Sequence, residues 1–193
     1  MIIGHYATAL LPYGKKVKGP FWLFLLLANF SDFLWLTLVF TGREVPTPPS
    51  MLQATFENIR VDMPFSHSVE PTILLAIAAG ILAGIAFRSV RTALWAGSLI
   101  VLHFLADMLV GFQHDFHGVP IALNLYGNSP HLALFIEAAF GAGCVWLYLK
   151  FKKENGEEVS AKKKWILYGV FVFGALLWLP TATIPLGAVL GIH

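Results

Sequence analysis

Charged residues are scarce in this chain of 193 residues: 12% are charged, whereas 57% are hydrophobic. A soluble domain has about 25% charged residues, so this chain cannot cover a water-soluble globule of its size. The scarcity of charge excludes a soluble enzyme and a disordered chain. It indicates a polytopic membrane protein instead.

Cysteine is nearly absent as well. Cys144 is the only one, so no intrachain disulfide can form and a disulfide scaffold is excluded. It lies in an apolar stretch, where a thiol packs as a small hydrophobic group. The net charge of +2 is too small to indicate a nucleic-acid partner.

Long apolar runs are abundant, and a helix that crosses a bilayer needs about 20 mostly apolar residues. The predicted spans are residues 20–41, 71–87, 92–112, 130–150 and 165–191, of which 71–87 is the shortest. We therefore predict a single transmembrane domain over residues 1–193. Its fold class is an all-α polytopic membrane helix bundle of about five transmembrane helices.

The first 13 residues are apolar but too short to cross a bilayer alone. They have no basic n-region and no small-residue cleavage site, so they do not indicate a secretory signal. We predict that residues 1–13 form an N-terminal half-helix that enters the bundle. At the other end of the chain, Pro180 and Pro185 are expected to kink or end the last span.

The basic residues predict an orientation. Of the 13 Lys and Arg residues, all but Arg43 and Arg60 flank the predicted spans on one side. The positive-inside rule places these basic loops in the cytoplasm. The loops 42–70 and 113–129 and the C-terminus are then expected to face outward.

Four ionisable side chains lie inside predicted spans, where such groups are costly and usually functional. Counted at 1.5 Å per residue from the basic side, Asp32 lies about 18 Å deep, His103 about 16 Å and Asp107 about 22 Å. Glu137 lies about 20 Å from the same side. Three different helices thus place ionisable groups in one layer, slightly toward the outer leaflet.

The residue types in this layer suit a metal ion. His103 and Asp107 are four residues apart and share a helix face, so they can offer one ion a nitrogen and an oxygen ligand. His5 reaches the same layer from the half-helix. Ser66 and His67 form a further polar group in the outward loop before the second span.

These residues also have structural interpretations. His103 and Asp107 can form a buried pair that only fixes helix packing. Glu137 can be kept neutral by burial or bonded to Asn124, and His5 can be an interfacial residue.

Several motifs resemble those of a family of small bacterial integral membrane proteins, described as permeases or as membrane-bound metal-dependent hydrolases. The matching segments are Ile3-Gly4-His5, 31–35, 63–68, 103–107, His114-Asp115, 123–129 and Glu137. The resemblance covers residues 1–150 and implies a bacterial inner (plasma) membrane location. It departs at Leu34, where the wider hydrolase-like group has a second Asp. It also departs at residues 62–64, which replace a His-Arg-Gly sequence and leave Asp62 to substitute for a His ligand.

The resemblance implies metal or catalytic roles for five residues, His5, Asp32, His67, His103 and Asp107. For Glu137 it implies a role as acid or base, or in orienting a ligand. The leading hypothesis is a membrane-embedded hydrolase that uses Zn²⁺ or another divalent transition metal and keeps one coordination position open for water.

In this hypothesis the metal ligands are His5, Asp32, His103 and Asp107, and the catalytic residues are Glu137, His67 and Ser66. Glu137 takes the proton of the water, whereas His67 and Ser66 contact the head group or the developing oxyanion. The substrate is expected to be a lipid phosphoester or acyl lipid, reached from the outer leaflet.

Two other function classes stay open. Acids and histidines in one layer also suit a proton or cation transporter, although no inverted repeat of the kind found in many transporters is evident. The third class is a non-catalytic accessory subunit that binds partner membrane subunits and uses the polar residues for a structural metal or for helix packing.

Overall fold

The computed structural model describes residues 1–50, 52–112, 115–116 and 119–192. Helices make up most of this part of the chain, as predicted, and the strands within it form one two-stranded antiparallel ladder. The helices are α1 (Gly4–Thr8), α2 (Leu10–Gly14), α3 (Phe21–Ala28), α4 (Phe30–Phe40), α5 (Val69–Phe87), α6 (Val90–Val110), α7 (Leu125–Asn128), α8 (Pro130–Glu154), α9 (Ala161–Tyr168), α10 (Gly174–Leu176) and α11 (Leu186–Leu190). The strands are β1 (Asp115–Phe116) and β2 (Val119–Pro120). A π-helical turn (Gly169–Phe173) joins α9 to α10, and a 3₁₀ turn (Leu179–Ala182) follows α10.

Within the described residues, four helical segments are long and apolar enough to cross a membrane, namely Val69–Phe87, Val90–Val110, Pro130–Glu154 and Ala161–Ala182. The bent pair α3 and α4 makes a fifth if it is counted as one span. Each predicted span overlaps one of these five. The last one ends at Ala182 and not at residue 191, because Pro180 lies in the 3₁₀ turn and Pro185 directly precedes the separate helix α11.

The first predicted span is broken at Asn29, where the two halves meet at 58°. The backbone of Asn29 leaves the helical region (φ −120°, ψ 18°), and its side-chain amide donates to the carbonyl of Leu25 at 2.9 Å. Asn side chains that bond nearby backbone groups compete with helix hydrogen bonds. The break therefore has a local cause, and it leaves Ala28 as the last residue of α3.

Helices α5 and α6 form a close antiparallel pair. A Cβ atom on Gly84 would lie 2.9 Å from the Cβ of Ala93, and one on Gly97 would lie 3.0 Å from the carbonyl oxygen of Ala76. Small residues let two backbones approach in this way. The spacing of Gly80 and Gly84 predicts this close packing, and the structure confirms it.

The predicted half-helix is present as α1 and α2, and most of its residues are buried. It packs against α8, α3 and α6. Its N-terminal end therefore lies inside the bundle, next to the layer of ionisable side chains.

The basic segments meet at one end of the bundle, which we call the basic end. The ammonium of Lys16 lies 2.8 Å from the carboxylate of Glu157. The hydroxyl of Thr92 donates to the carbonyl of Lys18 at 2.8 Å. The contacts join the segment before α3, the start of α6 and the connector between α8 and α9.

Segments 44–68 and 178–192 meet at what we call the loop end. The backbone N–H of Phe56 donates to the carbonyl of Thr181 at 3.1 Å, and that of Gly187 to the carbonyl of Leu52 at 2.8 Å. The C-terminal segment thus packs against the long loop, as the predicted alternation of spans requires.

Candidate metal centre

Four side chains converge inside the bundle, and we call them the His/Asp cluster: Asp32, His67, His103 and Asp107. Asp32 lies on α4, His67 just before α5, and the other two on α6. One ligand atom from each residue lies within 4.8 Å of the other three. His67, His103 and Asp107 are buried, whereas the side chain of Asp32 is 36% exposed.

The ligand atoms of the cluster are two histidine Nε2 atoms and two carboxylate oxygens. Nε2 of His103 lies 3.2 Å from Oδ2 of Asp107 and 3.3 Å from Nε2 of His67. Oδ1 of Asp32 lies 3.4 Å from Nε2 of His67. Four ligands about 2.0–2.1 Å from one ion in a tetrahedron lie about 3.3 Å apart. The cluster therefore has both the donor atoms and the spacing of a site that can hold a divalent metal.

The orientation of the His103 ring is set by the helix break. Its Nδ1 lies 2.8 Å from the carbonyl oxygen of Ala28. Because a carbonyl can only accept, Nδ1 carries the hydrogen and Nε2 keeps its lone pair facing the cluster. Histidines that bind metals usually have this arrangement, with the other ring nitrogen held by a carbonyl or carboxylate.

The ring of His67 is held in the same way by a buried carboxylate. Nδ1 of His67 lies 2.8 Å from the hydroxyl oxygen of Ser66, and that hydroxyl donates to Oε2 of Glu44 at 2.6 Å. Since the Ser66 proton goes to Glu44, the Ser66 oxygen accepts from Nδ1 of His67. Nε2 of His67 therefore faces the cluster, 3.3 Å from Nε2 of His103.

Two residues of this loop were assigned roles from the sequence. The hydroxyl of Ser66 is fully buried between Glu44 and His67, and its contact with a substrate stays a prediction. Asp62 does not replace a metal ligand, since it is exposed and lies outside the His/Asp cluster.

Glu44 is a buried residue that the sequence analysis missed. Its Oε1 also accepts the backbone N–H groups of Phe65 and Ser66 at 2.7 and 3.1 Å. Nothing in the spacing links it to a segment 21 residues away. A lone acid in a proline-rich loop is ordinarily solvated, so only the folded chain reveals its role.

His5 lies beside the cluster and not within it. Its ring stacks on that of His103, with centroids 3.6 Å apart. Its Nε2 lies 3.0 Å from Oδ1 of Asp107, the oxygen that faces away from the cluster, and 2.7 Å from the amino nitrogen of Met1. That amino group also contacts Oδ1 of Asp107. The structure thus places His67, and not His5, with the other three predicted ligands, and His5 orients Asp107.

Glu137 is also outside the cluster, and its oxygens are occupied. Oε1 accepts the backbone N–H groups of Ile3 at 2.5 Å and Gly4 at 2.8 Å. Oε2 accepts the hydroxyl of Tyr126, rather than an Asn124 amide. A carboxylate at the start of a helix stabilises its free N–H groups. The geometry makes Glu137 the anchor of α1, and its role as proton acceptor stays a prediction.

A cavity of about 410 Å³ adjoins the cluster. Asp32, His67 and Asp107 are among the residues that line it. Its aromatic wall comprises Trp35, Phe56, Phe112, Tyr126 and Trp178. Both the volume and the mainly apolar lining are typical of a small-molecule site. His114, part of the resemblance, is outside the described residues.

The fold and the cluster together define an integral membrane helix bundle with a buried His/Asp site that can hold a metal ion. Comparison of the chain with models of protein families, with curated proteins and with solved structures found no match.

Proposed function

We propose that the protein is a membrane-embedded, metal-dependent hydrolase. The observation that carries the proposal is the paired orientation of His67 and His103. Each ring has its Nδ1 held by a protein acceptor, so two Nε2 lone pairs face each other at 3.3 Å between two carboxylates. Lone pairs and negative charge at such distances repel, and one divalent cation among them removes the repulsion.

The proposed hydrolysis depends on the side from which water and substrate can reach the His/Asp cluster. A bound metal ion supplies Lewis acidity and lowers the pKa of a coordinated water to about 7. Asp32 is the member of the cluster that is partly exposed, so water and substrate approach on its side. With Glu137 occupied, the second oxygen of Asp32 is the base available at the cavity. His5 keeps Asp107 oriented from the opposite side.

The packing of the basic half of the bundle favours a hydrolase over a transporter. Between the cluster and the basic end, α3 and α6 pack through buried apolar residues, including Phe24, Leu27, Leu99 and Ile100. A transporter needs polar groups on both sides of its site. The cavity lies at the loop end instead, which suits a site open to one side.

The resemblance to membrane-bound hydrolases supports the same proposal. We extend it to a bacterial inner-membrane location with the basic end in the cytoplasm, because the Lys and Arg residues gather there. The substrate would then be a lipid that enters from the outer leaflet.

Elemental metal analysis of the detergent-purified protein tests the proposal. We expect about one transition-metal ion per chain, and its loss in the variants His67→Ala, His103→Ala and Asp32→Asn. His131→Ala is the matched control, because His131 is exposed on α8. Ester hydrolysis should disappear with a chelator and return with Zn²⁺. Metal-free protein, or metal retained in all three variants, would contradict the proposal and favour an accessory subunit or a proton path.

A further inference from the structure

The charges around the cavity distinguish between substrate classes. No Lys or Arg is among the described residues that line it, and its carboxylates are those of Asp32 and Asp107. The two arginines expected on this side are elsewhere: Arg43 is exposed, and Arg60 donates to the backbone carbonyls of Glu57 and Ile59. A phosphoryl group is normally held by Arg, Lys or a helix N-terminus.

Met1 also lines the cavity, but its amino group is buried and already contacts Asp107 and His5. It is therefore not available to an anionic group of a substrate. An uncharged carbonyl needs no such charge, since one oxygen facing the metal or a neutral donor is sufficient. The electrostatics of the site thus favour a neutral acyl group over a phosphodiester.

A neutral donor is present at the same place. Tyr6 lines the cavity together with Asp32. Tyr6 is 36% exposed, and its hydroxyl makes no hydrogen bond within the part of the chain that the structure describes. Phenolic hydroxyls are among the groups that stabilise oxyanions in acyl transfer.

We propose that the cavity binds one long apolar chain of an uncharged acyl ester or amide, and that Tyr6 donates to the acyl oxygen during hydrolysis. This inference rests on the proposed function. Water adds across the acyl bond: its oxygen bonds to the carbonyl carbon, the C–O or C–N bond breaks, and the leaving oxygen or nitrogen receives the proton. No oxidant or reductant is required.

Two substrates with the same chain and the same leaving group test the acyl preference. These are p-nitrophenyl palmitate and hexadecyl p-nitrophenyl phosphate, given to the metal-loaded protein in detergent. We expect the ester to be cleaved at least 100-fold faster, after correction for the uncatalysed rates. Equal rates, or faster cleavage of the phosphodiester, would overturn the inference.

Binding separates failure of this inference from failure of the proposed function. Palmitamide and hexadecylphosphonate can be compared by quenching of tryptophan fluorescence, since Trp35 and Trp178 line the cavity. We expect palmitamide to bind at least tenfold more tightly. Tighter phosphonate binding would overturn the acyl assignment even without turnover, whereas absence of metal would contradict only the hydrolase.

The role of Tyr6 is tested by Tyr6→Phe beside Tyr13→Phe, an exposed tyrosine near the basic end that does not line the cavity. We expect Tyr6→Phe to lower kcat for the ester about 100-fold, with KM and metal content unchanged. Tyr13→Phe should behave as wild type. An unchanged kcat in Tyr6→Phe would exclude the donor role.

A second variant tests whether the apolar chain of the substrate binds in the cavity. Leu36 lines the cavity and is 43% exposed, so Leu36→Trp can narrow the cavity without opening the core. We expect it to move the preferred chain to shorter esters, whereas Leu132→Trp, on the exposed surface of α8, should leave the preference unchanged. An unaltered chain-length profile in Leu36→Trp would contradict chain binding in this cavity.

Discussion

Two buried carboxylates flank the start of α1, and their oxygens have different surroundings. Both oxygens of Glu137 accept hydrogen bonds from N–H or O–H groups that hold α1 in place. Asp107 bonds to the start of α1 through one oxygen and turns the other toward the nitrogens of His67 and His103. The hydrogen bonds of the first carboxylate hold α1 in place, which is a structural role. The second has an oxygen left for a ligand.

The same contrast explains why depth in the membrane does not identify function. A buried polar group costs free energy unless it is hydrogen-bonded, and Glu137 meets that condition with its neighbours alone. The His/Asp cluster does not meet this condition with its neighbours alone, because its four ligand atoms are acceptors that face one another.

The largest effect on stability is expected from Glu137→Ala. It leaves the N–H groups of Ile3 and Gly4 and the hydroxyl of Tyr126 unpaired in the core, at about 1–3 kcal/mol for each group. We predict that the free energy of unfolding falls by about 3–5 kcal/mol, measured by denaturant titration in detergent.

The exposed Glu158→Ala is the control for this prediction and should change stability by less than about 0.5 kcal/mol. If Glu137→Ala instead unfolded like wild type but lost hydrolysis, the anchoring role would be wrong and the proton-acceptor role supported.

A smaller effect, on metal binding, is expected from Glu44→Gln. The substitution keeps the shape but weakens the acceptor that holds the hydroxyl of Ser66 and, through it, Nδ1 of His67. Loss of such supporting groups typically weakens metal binding by 10–100-fold. We predict that range for the metal dissociation constant, measured by competition with a chelator of known affinity.

Glu57→Gln, on the exposed surface of the same loop, is the matched control and should bind metal like wild type. Unchanged affinity in Glu44→Gln would show that the Glu44–Ser66–His67 chain only holds the loop together.

The smallest effect is expected at the basic end. There, in contrast to the two buried carboxylates, Glu157 forms ion pairs that are solvated. Hydrogen bonds from Lys152 and Lys16 lower the pKa of Glu157 from 4.5 to about 2. A carboxyl group whose pKa is lower in the folded than in the unfolded protein stabilises the fold at pH values above its unfolded pKa. This contribution disappears as the pH falls through the folded pKa. The melting temperature of Glu157→Gln should lie slightly below that of wild type at pH 6, and the difference should vanish toward pH 2.

High salt should reduce the same difference at pH 6, because exposed pairs are screened. A difference that persists at pH 2 would mean that Glu157 acts through packing and not through its charge.

Part of the His/Asp cluster could be predicted from the sequence. Asp32, His103 and Asp107 were predicted in one layer from helical rise alone, and the structure brings them together. The break at Asn29 was not predicted, because a single polar residue in an apolar run has little effect on hydropathy. Because the break was not predicted, the contact between the carbonyl of Ala28 and Nδ1 of His103 could not be predicted either.

Glu137 and Ser66 were assigned to catalysis, and the structure shows hydrogen bonds of both that the sequence did not indicate. These partners could not be predicted, for one physical reason. Burial of a polar residue can be inferred from the span that contains it, but its hydrogen-bond partners come from segments distant in the chain. Tyr126 for Glu137 and Glu44 for Ser66 are partners of this kind.

By itself, the sequence determined the membrane class, the spans and the layer that holds Asp32, His103 and Asp107. These features depend on local hydropathy and on helical rise, which a bilayer enforces because backbone groups in it must bond within their own segment. Only the tertiary structure decided that His67 joins the layer, that Glu44 orients it and that Glu137 anchors α1. Such pairings depend on how helices pack and loops fold back, and contacts between distant segments leave no periodic trace in the chain.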